Sequence, residues 1–181
     1  MDTPENALLL IGSAKQPGAS ASEALGGCLM RKLAARGQAS ETRYVARAMR
    51  SDSRTQELLD AVERADVFVL AFPLYVDSLP YLVIQALERI AESRQGQPGK
   101  AGASFVAIAN CGFPEAHHND TALAICRQFA VQAGFTWAGG LALGGGAPFS
   151  GKPLEEAGGM ARAVVAALDS VAAALAQGLP V

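Results

Sequence analysis

Residues 7–25 have the sequence ALLLIGSAKQPGASASEAL, and the architecture expected for the whole chain follows from this stretch. Residues 7–11 are apolar at every position, a pattern that favours a strand buried on both faces of a parallel sheet, although a buried helix turn shows it too. Gly12 ends the apolar run, and serine, lysine, proline and glycine follow before helical spacing begins. We therefore predict a buried strand, a polar loop and a helix, in that order.

The polar loop contains groups that bind anions. Its hydroxyls and its ammonium can donate hydrogen bonds, and its glycines let backbone amides approach a ligand closely. If Ser20 caps the helix that follows, the first amides of that helix are unpaired and point into the loop at the positive end of the helix dipole. A serine-rich turn without a ligand is the alternative interpretation. The residues predicted to hold a phosphate are Ser13, Lys15, Ser20, Ala21 and Ser22.

Two widespread phosphate-loop motifs do not fit this loop. The pattern G-x-x-x-x-G-K-[ST] requires glycine at position 17, where the chain has Pro17, and G-x-G-x-x-G requires glycine at position 14, where it has Ala14. The arrangement G-S-x-K-x-x-x-x-S-x-S instead resembles the FMN phosphate loop of the NAD(P)H-dependent FMN reductase family of flavodoxin-like proteins. This resemblance implies FMN as the cofactor and NADPH or NADH as the co-substrate.

A second continuous apolar run, residues 65–72, predicts another central strand, and residues 73–80 (PLYVDSLP) follow it as a loop. In open doubly wound sheets, ligands bind beyond the carboxyl ends of such strands. Stiff apolar residues and a tyrosine suit the wall of a site for a flat aromatic ring, although Tyr75 could instead cover the core. The predicted wall consists of Pro73, Leu74, Tyr75 and Val76.

The wall and the residues after it also resemble the reductase family. They follow the family pattern P-x-Y-x-x-S-x-P-x-x-L-K-N-x-x-D, which contacts the flavin ring and begins the third helix of those proteins. Ile84 and Glu88 stand where the family usually carries lysine and aspartate, so the resemblance does not extend to contacts that those two residues make. The predicted ring wall is unaffected by these differences.

A third apolar strand, residues 104–109, leads into residues 110–115 (NCGFPE), which we expect beside the other two loops. The amides of this loop could meet the polar edge of a flavin ring, and an aromatic side chain could close one side of the pocket. No metal site or thiol nucleophile is expected, because Cys111 lacks a catalytic partner and the adjacent His117 and His118 face apart on a helix. The residues assigned to this loop of the site are Asn110, Cys111, Gly112 and Phe113.

The rest of the chain alternates helical and strand-like patterns. Apolar spacing and turn residues predict helices over residues 22–36, 53–64, 79–92, 119–132 and 154–175, strands over 39–49 and 135–143, and a loop over 95–103. Ser53 is the expected cap of the second helix, and Gly158 interrupts the last one. Together these elements predict an α/β, three-layer doubly wound domain with a five-stranded parallel sheet in the order 2-1-3-4-5, and the family resemblance implies that it is flavodoxin-like.

The composition narrows the classes of function. The chain has 181 residues, 50% of them hydrophobic, which suits one domain, 1–181, with a sizeable core. Its formal net charge is −2 with no basic block behind it, and acidic residues interrupt the arginines of residues 43–64, so we expect no nucleic-acid partner. Residues 1–6 lack a signal-peptide pattern and no uninterrupted apolar stretch approaches about 18 residues, so we expect no membrane association and a cytoplasmic location.

The family resemblance implies an FMN-dependent oxidoreductase that takes hydride from NAD(P)H and reduces a small-molecule acceptor, such as a quinone, a flavin, or an azo or nitro compound. It also implies a homodimer or a dimer of dimers. No histidine, aspartate or glutamate stands in the phosphate loop or in residues 73–76, so we expect flavin N5 to carry the hydride, with ping-pong kinetics on one shared face. An FMN electron carrier that acts on protein partners, and a domain of this fold without flavin, are the alternatives.

Overall fold

The computed structural model describes residues 5–95 and 102–181, so most of the predicted loop over residues 95–103 lies outside the described residues. The strands are β1 (Asn6–Ile11), β2 (Ala39–Tyr44), β3 (Val67–Pro73), β4 (Ser104–Asn110) and β5 (Thr136–Leu143). The α-helices are α1 (Ala21–Ala34), α2 (Val45–Ala48), α3 (Asp52–Arg64), α4 (Tyr81–Arg94), α5 (Asp120–Gln132) and α6 (Arg162–Ala176). All strands are parallel and lie in the order β2-β1-β3-β4-β5, which confirms the predicted fold class and strand order.

Different helices cover the two faces of the sheet, because successive side chains of each strand point to opposite faces. On one face, Leu8 and Leu10 of β1 belong to a buried cluster with residues of α3, α4 and α5. On the other face, Leu9 and Ile11 cluster with residues of α1 and α6. All four side chains are at most 2% exposed, which explains why this strand is apolar at every position. The protein therefore has three layers, with the sheet between two layers of helices.

Parallel pairing brings the carboxyl ends of the strands to one edge of the sheet. Ile11 at the end of β1 pairs with Ala71 of β3, and Pro73 at the end of β3 pairs with Asn110 at the end of β4. Leu143 at the end of β5 pairs with Asn110 from the other side. The three loops predicted to bind a ligand therefore begin side by side, with the loop after β5 next to them.

The predicted edge strand of residues 39–49 is shorter than expected. β2 ends at Tyr44, and the chain continues directly into the short helix α2. Val45 and Ala48, three positions apart, are both buried in the cluster that contains α3 and α4. A helical turn places two such residues on the same side, whereas a strand would place one of them in solvent.

The helix predicted over residues 53–64 begins one residue earlier. Ser51, not Ser53, is the N-cap of α3, and its side chain accepts a hydrogen bond from the Arg54 N–H at 3.4 Å. Ser53 lies within the first turn, where its hydroxyl is 3.2 Å from that of Ser51. Two serines near a helix start make the cap ambiguous in the sequence, and only the bond to N3 distinguishes them.

The carboxyl-terminal segment is broken where the sequence predicts it. Residues Leu154–Ala161 form a 3₁₀ helix in which Gly158 has a φ of 69°, and α6 follows. Among the described residues, Leu154–Ala176 is the helical stretch that is long and apolar enough to cross a membrane, by length and composition only. Its buried residues, including Leu168 and Leu175, pack with α1 and the sheet.

Gly26 and Gly27 in α1 provide a matched test of how tightly α1 packs on the sheet. A Cβ on Gly26 would lie 2.7 Å from Leu9 Cδ1 and 3.2 Å from Ala71 Cβ, whereas one on Gly27 would meet only the end of the Arg31 side chain. Alanine gains up to about 1 kcal/mol of helix propensity over glycine at either position. We therefore expect Gly27→Ala to raise the free energy of unfolding measured in urea. We expect the free energy of unfolding of Gly26→Ala to be about 1–3 kcal/mol lower than that of Gly27→Ala, because the added methyl group overpacks the contact with Leu9 and Ala71. Equal stabilities would show that α1 moves away from β1 at little cost.

Candidate functional site

The loop after β1 presents unpaired backbone donors. Ser20 is the N-cap of α1, as predicted, and its Oγ accepts a hydrogen bond from the Glu23 N–H at 3.1 Å. The N–H groups of Ser20, Ala21 and Ser22 have no acceptor among the described residues. These three donors lie at the positive end of the α1 dipole, where an anion is stabilised.

Ser13 and Lys15 contribute side chains to the same loop. Ser13 is 2% exposed, and its Oγ accepts a hydrogen bond from the Lys15 N–H at 3.3 Å. The Lys15 side chain is exposed, and its ammonium forms no ion pair within the described part of the chain. The loop therefore offers a hydroxyl and a free cation beside the helix terminus.

An acidic side chain that was not predicted also lies at this loop. Glu23 stands three residues after Ser20, which is the capping-box position, and the sequence signal S-x-x-E was available for it. Its carboxylate accepts hydrogen bonds from the Gly18 N–H and from the Tyr44 hydroxyl, both at 2.6 Å. Burial and the hydrogen bond to Glu23 raise the pKa of Tyr44 to about 12, so the hydroxyl stays protonated as the donor. Glu23 therefore ties the loop to the end of β2.

Ser22 connects the first loop to the end of β4. Its hydroxyl donates to Asn110 Oδ1 at 2.7 Å, and the two residues are 1% and 6% exposed. The hydroxyl proton of Ser22 is therefore engaged inside the protein, while its backbone N–H remains free for a ligand. A phosphate contact through the Ser22 side chain stays a prediction.

The loop after β3 contains a strained two-residue turn. Tyr75 and Ser78 exchange backbone hydrogen bonds of 3.0 and 3.2 Å, and the residues between them, Val76 and Asp77, have φ angles of 51° and 54°. A β-branched residue in this left-handed region costs about 1–3 kcal/mol. Backbone strain of this kind is concentrated at functional sites and ligand-binding loops.

The turn exposes the outer part of the predicted ring wall. Tyr75 is 48% exposed and Val76 is 100% exposed, so Tyr75 does not close the core. Pro73 and Leu74 are half-buried, and the Leu74 N–H donates to Asn110 O at 2.8 Å. The outer two residues of the wall can therefore contact a ligand, while the inner two join the turn to β4.

The loop after β4 has fewer free donors than its sequence suggests. Cys111 is buried, and its N–H donates to Leu143 O at 3.0 Å, so this amide is not free for a ligand. Gly112 and Phe113 are exposed, and their amides have no acceptor in the described parts of the chain. The Phe113 ring is 58% exposed. These two residues are therefore the accessible part of the loop.

The glycines after β5 hold this loop in place. The Gly145 and Gly146 amides donate to Phe113 O and Cys111 O at 2.6 and 2.9 Å. A Cβ at Gly144 would collide with the carbonyl oxygen of Pro114, so the two loops touch where a side chain cannot fit. The close backbone approach that these glycines allow is therefore a contact between two loops of the protein itself.

His118 joins the second and third loops, a contact that the sequence did not indicate. Its Nδ1 lies 3.7 Å from Asp77 Oδ1, and its ring packs against those of Phe113 and His117, with centroids 4.7 Å apart in each case. The prediction that the two histidines face apart is wrong. They lie on a 3₁₀ turn, Ala116–Asn119, rather than in an α-helix, and their rings stack with an interplanar angle of 23°.

The remaining cysteines are packing groups. Cys28 and Cys126 are fully buried, and burial raises the pKa of each thiol to about 12. A thiol with this pKa is protonated and unreactive at neutral pH. Across residues 5–95 and 102–181, no group of three or more His, Cys, Asp or Glu side chains is placed to hold a metal ion.

Solved structures share the arrangement of strands and helices described above. An NADH:FMN oxidoreductase in its apo form matches with a TM-score of 0.68 and 20% identity, over 97% of this chain and 90% of that one. The fold is flavodoxin-like. A flavodoxin from Streptococcus pneumoniae TIGR4 matches with a TM-score of 0.66 and 14% identity, over 96% of this chain and 99% of that one. An azoreductase from Bacillus anthracis matches with a TM-score of 0.62 and 12% identity, over 93% of this chain and 98% of that one.

In sequence, the chain matches no protein-family model and none of the curated proteins. The flavodoxin-like sheet nevertheless carries residues at its strand ends that fit a flavin mononucleotide. Three unpaired amides, a buried hydroxyl and a free ammonium form a donor set for a phosphate monoester. Tyr75 and Phe113, exposed on neighbouring loops, provide apolar surface for a flat ring.

We expect Ser20→Ala to weaken FMN binding by about 1–3 kcal/mol, because it removes a hydroxyl and the N-cap of α1 together. Fluorescence titration of the apoprotein with FMN measures this change. Ser51→Ala is the matched control, since Ser51 caps α3 in the same way, and it should lower the free energy of unfolding without changing FMN affinity. Unchanged FMN affinity in Ser20→Ala would count against the phosphate site.

Proposed function

We propose that this protein is a cytoplasmic FMN-dependent oxidoreductase that takes hydride from NAD(P)H and reduces a small-molecule acceptor, such as a quinone, a flavin, or an azo or nitro compound. The observation that carries the proposal is the set of unpaired amides at Ser20, Ala21 and Ser22, at the same sheet edge as the exposed rings of Tyr75 and Phe113. The NADH:FMN oxidoreductase and the azoreductase among the similar structures support it.

In this proposal, the loop after β1 holds the phosphate and the loops after β3 and β4 hold the ring. The free amides of α1 and the Lys15 ammonium bind the phosphate, while Tyr75 and Phe113 flank the ring and the Gly112 amide meets its polar edge. Bound FMN supplies two-electron chemistry, and the protein supplies position and electrostatics. The titratable pair His118 and Asp77 lies at the rim of this wall, and the proposal assigns it no proton transfer.

An FMN electron carrier that acts on protein partners is the second candidate, and the flavodoxin among the similar structures favours it. Short flavodoxins that carry electrons usually have an acidic face. This chain has a formal net charge of −2, and exposed basic residues, Lys15, Arg47 and Arg50, surround a cavity at the phosphate loop. This distribution of charge favours the reductase over the carrier.

The decisive experiment is an anaerobic titration of the FMN-loaded protein with NADPH and with NADH. Loss of the flavin absorbance band on addition of either nucleotide supports the reductase. A flavin that stays oxidised until a second protein delivers electrons supports the carrier. Failure of the purified protein to bind any flavin overturns both.

Steady-state kinetics then test whether the two substrates share one face of the flavin. We expect parallel lines in double-reciprocal plots, because NAD(P)H and the acceptor would alternate at the surface between Tyr75 and Phe113. Tyr75→Ala should raise KM for both substrates and lower kcat, whereas Tyr75→Phe keeps the ring and should retain both values. Intersecting lines would mean that NADPH and the acceptor are bound at the same time, which would contradict a single shared binding face.

We also propose a homodimer, or a dimer of dimers, formed through the exposed side of α4. Tyr81 and Ile84 on this side are 69% and 38% exposed, Glu88 follows one turn later, and Val76 is fully exposed in the preceding turn. Apolar side chains grouped in this way are typical of interaction surfaces.

Sedimentation velocity at micromolar concentration should show a dimer or larger species, and Ile84→Glu should shift it to the monomer. Ile125→Glu is the control, since Ile125 is 41% exposed on α5, and it should not change the oligomeric state. A monomeric wild-type protein would contradict the proposal.

A further inference from the structure

A cavity beside the phosphate loop gathers arginines to which the proposed function assigns no ligand. It has a volume of about 510 Å³ and opens where β2 ends and α2 and α3 begin. Its lining includes the side chains of Arg43, Arg47, Arg50, Arg54 and Tyr44. We call this cavity the arginine groove.

Among the described residues, three of the four guanidinium groups in the arginine groove have no carboxylate partner. Arg43 is the exception, since it pairs with Glu41 and, at 3.5 Å, with Glu57. Glu57 is the one carboxylate in the lining of the groove, against four arginines, so the lining carries an excess of positive charge. Within the described residues, no ion pair involves the other three, Arg47, Arg50 and Arg54.

Uncompensated charge of this kind points to an anionic ligand. Like charges on a concave surface repel one another, and an anion placed between them removes the repulsion. The guanidinium group also binds phosphate through two parallel hydrogen bonds, which gives geometric as well as electrostatic preference. The arginine groove therefore suits a phosphate group.

The arginine groove adjoins the phosphate loop. A smaller cavity, of about 60 Å³, is lined by residues 13–17 on one side and by Tyr44, Arg47 and Arg50 on the other. The Arg47 guanidinium lies 5.2 Å from the centre of the Tyr44 ring, and this cation–π contact keeps the charge at the end of β2. A molecule with one phosphate at the α1 terminus therefore has a second anion site nearby, just after the end of β2.

We propose that the arginine groove binds the adenosine phosphate part of a dinucleotide. In doubly wound dinucleotide-binding sheets, the phosphates lie after the first strand, the adenosine ribose lies beyond the second, and an arginine there accepts a 2′-phosphate. Here too β2 lies next to β1. Two sources carry this chemistry. One is the AMP half of FAD, whose flavin phosphate would lie at the α1 terminus, and the other is the 2′-phosphorylated ADP end of NADPH, which would enter the groove beside bound FMN. The inference deepens the proposed function, and it rests on that function for the choice between these two dinucleotides.

Isothermal titration calorimetry of the full chain with 2′,5′-ADP, 5′-ADP and AMP tests the groove without any turnover. We expect the wild-type protein to bind at least one of these nucleotides. Arg47→Gln and Arg50→Gln should each weaken that binding by roughly tenfold or more, because each removes a charge-assisted hydrogen bond. Arg127→Gln is the matched control, since Arg127 is exposed on α5, and it should bind like the wild type.

The nucleotide preference identifies the source. Tighter binding of 2′,5′-ADP than of 5′-ADP, together with a raised KM for NADPH and an unchanged KM for NADH in the two variants, assigns the groove to NADPH. The groove is assigned to FAD if AMP binds, if the wild-type protein binds FAD more tightly than FMN, and if the two variants lose this preference for FAD. Binding of none of the three nucleotides, or equal binding by the wild type and both variants, overturns the proposal.

The same measurements separate this inference from the proposed function. If 2′,5′-ADP binds in an arginine-dependent way while NADPH leaves the flavin oxidised, the groove stands and the reductase assignment fails. If NADPH bleaches the flavin while both variants keep the wild-type KM for NADPH and the wild-type affinity for FAD, the reductase stands and the groove assignment fails.

Discussion

The position of the candidate site depends on one close approach of the backbone, at Gly12. A Cβ there would lie 2.6 Å from Val83 Cγ2 and 2.7 Å from Phe72 Cβ, so only glycine allows the chain to leave β1 at this point. The Gly12 N–H also donates to Ala71 O at 2.8 Å, which extends the pairing of β1 with β3 to the first residue of the loop. The loop therefore begins at a fixed point, and the Ser20 cap defines where it ends. The unpaired amides take their position from the packing of β1, β3 and α4.

Local patterns were sufficient to predict the sheet and the start of α1. A strand that is covered on both faces needs an apolar residue at every position, and a helix cap acts within three residues of itself, so both leave a signal in a short window. The short helix α2 left no such signal. Val45 favours a strand in isolation, and its burial with Ala48 depends on α3 and α4, which approach it only in the folded chain.

Contacts between distant parts of the chain could not be predicted in this way. Ser22 and Asn110, which join the first loop to the end of β4, are 88 positions apart. In the sequence, acidic residues interrupt the arginines of residues 43–64, so this stretch predicted no nucleic-acid partner and gave no indication of an anion site. Only the fold shows that Glu41 and Glu57 are both engaged by Arg43. Charge balance over a stretch of sequence is therefore a poor guide to the local potential on a surface.

The strained turn after β3 bears on how quickly a ligand can associate with the protein. Two backbone hydrogen bonds between Tyr75 and Ser78 hold the turn closed, and Pro80 fixes the chain just before α4, so few conformations are open to it. A flat ring that binds to this turn does not have to order a loop first, so the protein loses little conformational entropy on binding. Encounter at this face would then be limited by diffusion and orientation rather than by the closing of a lid.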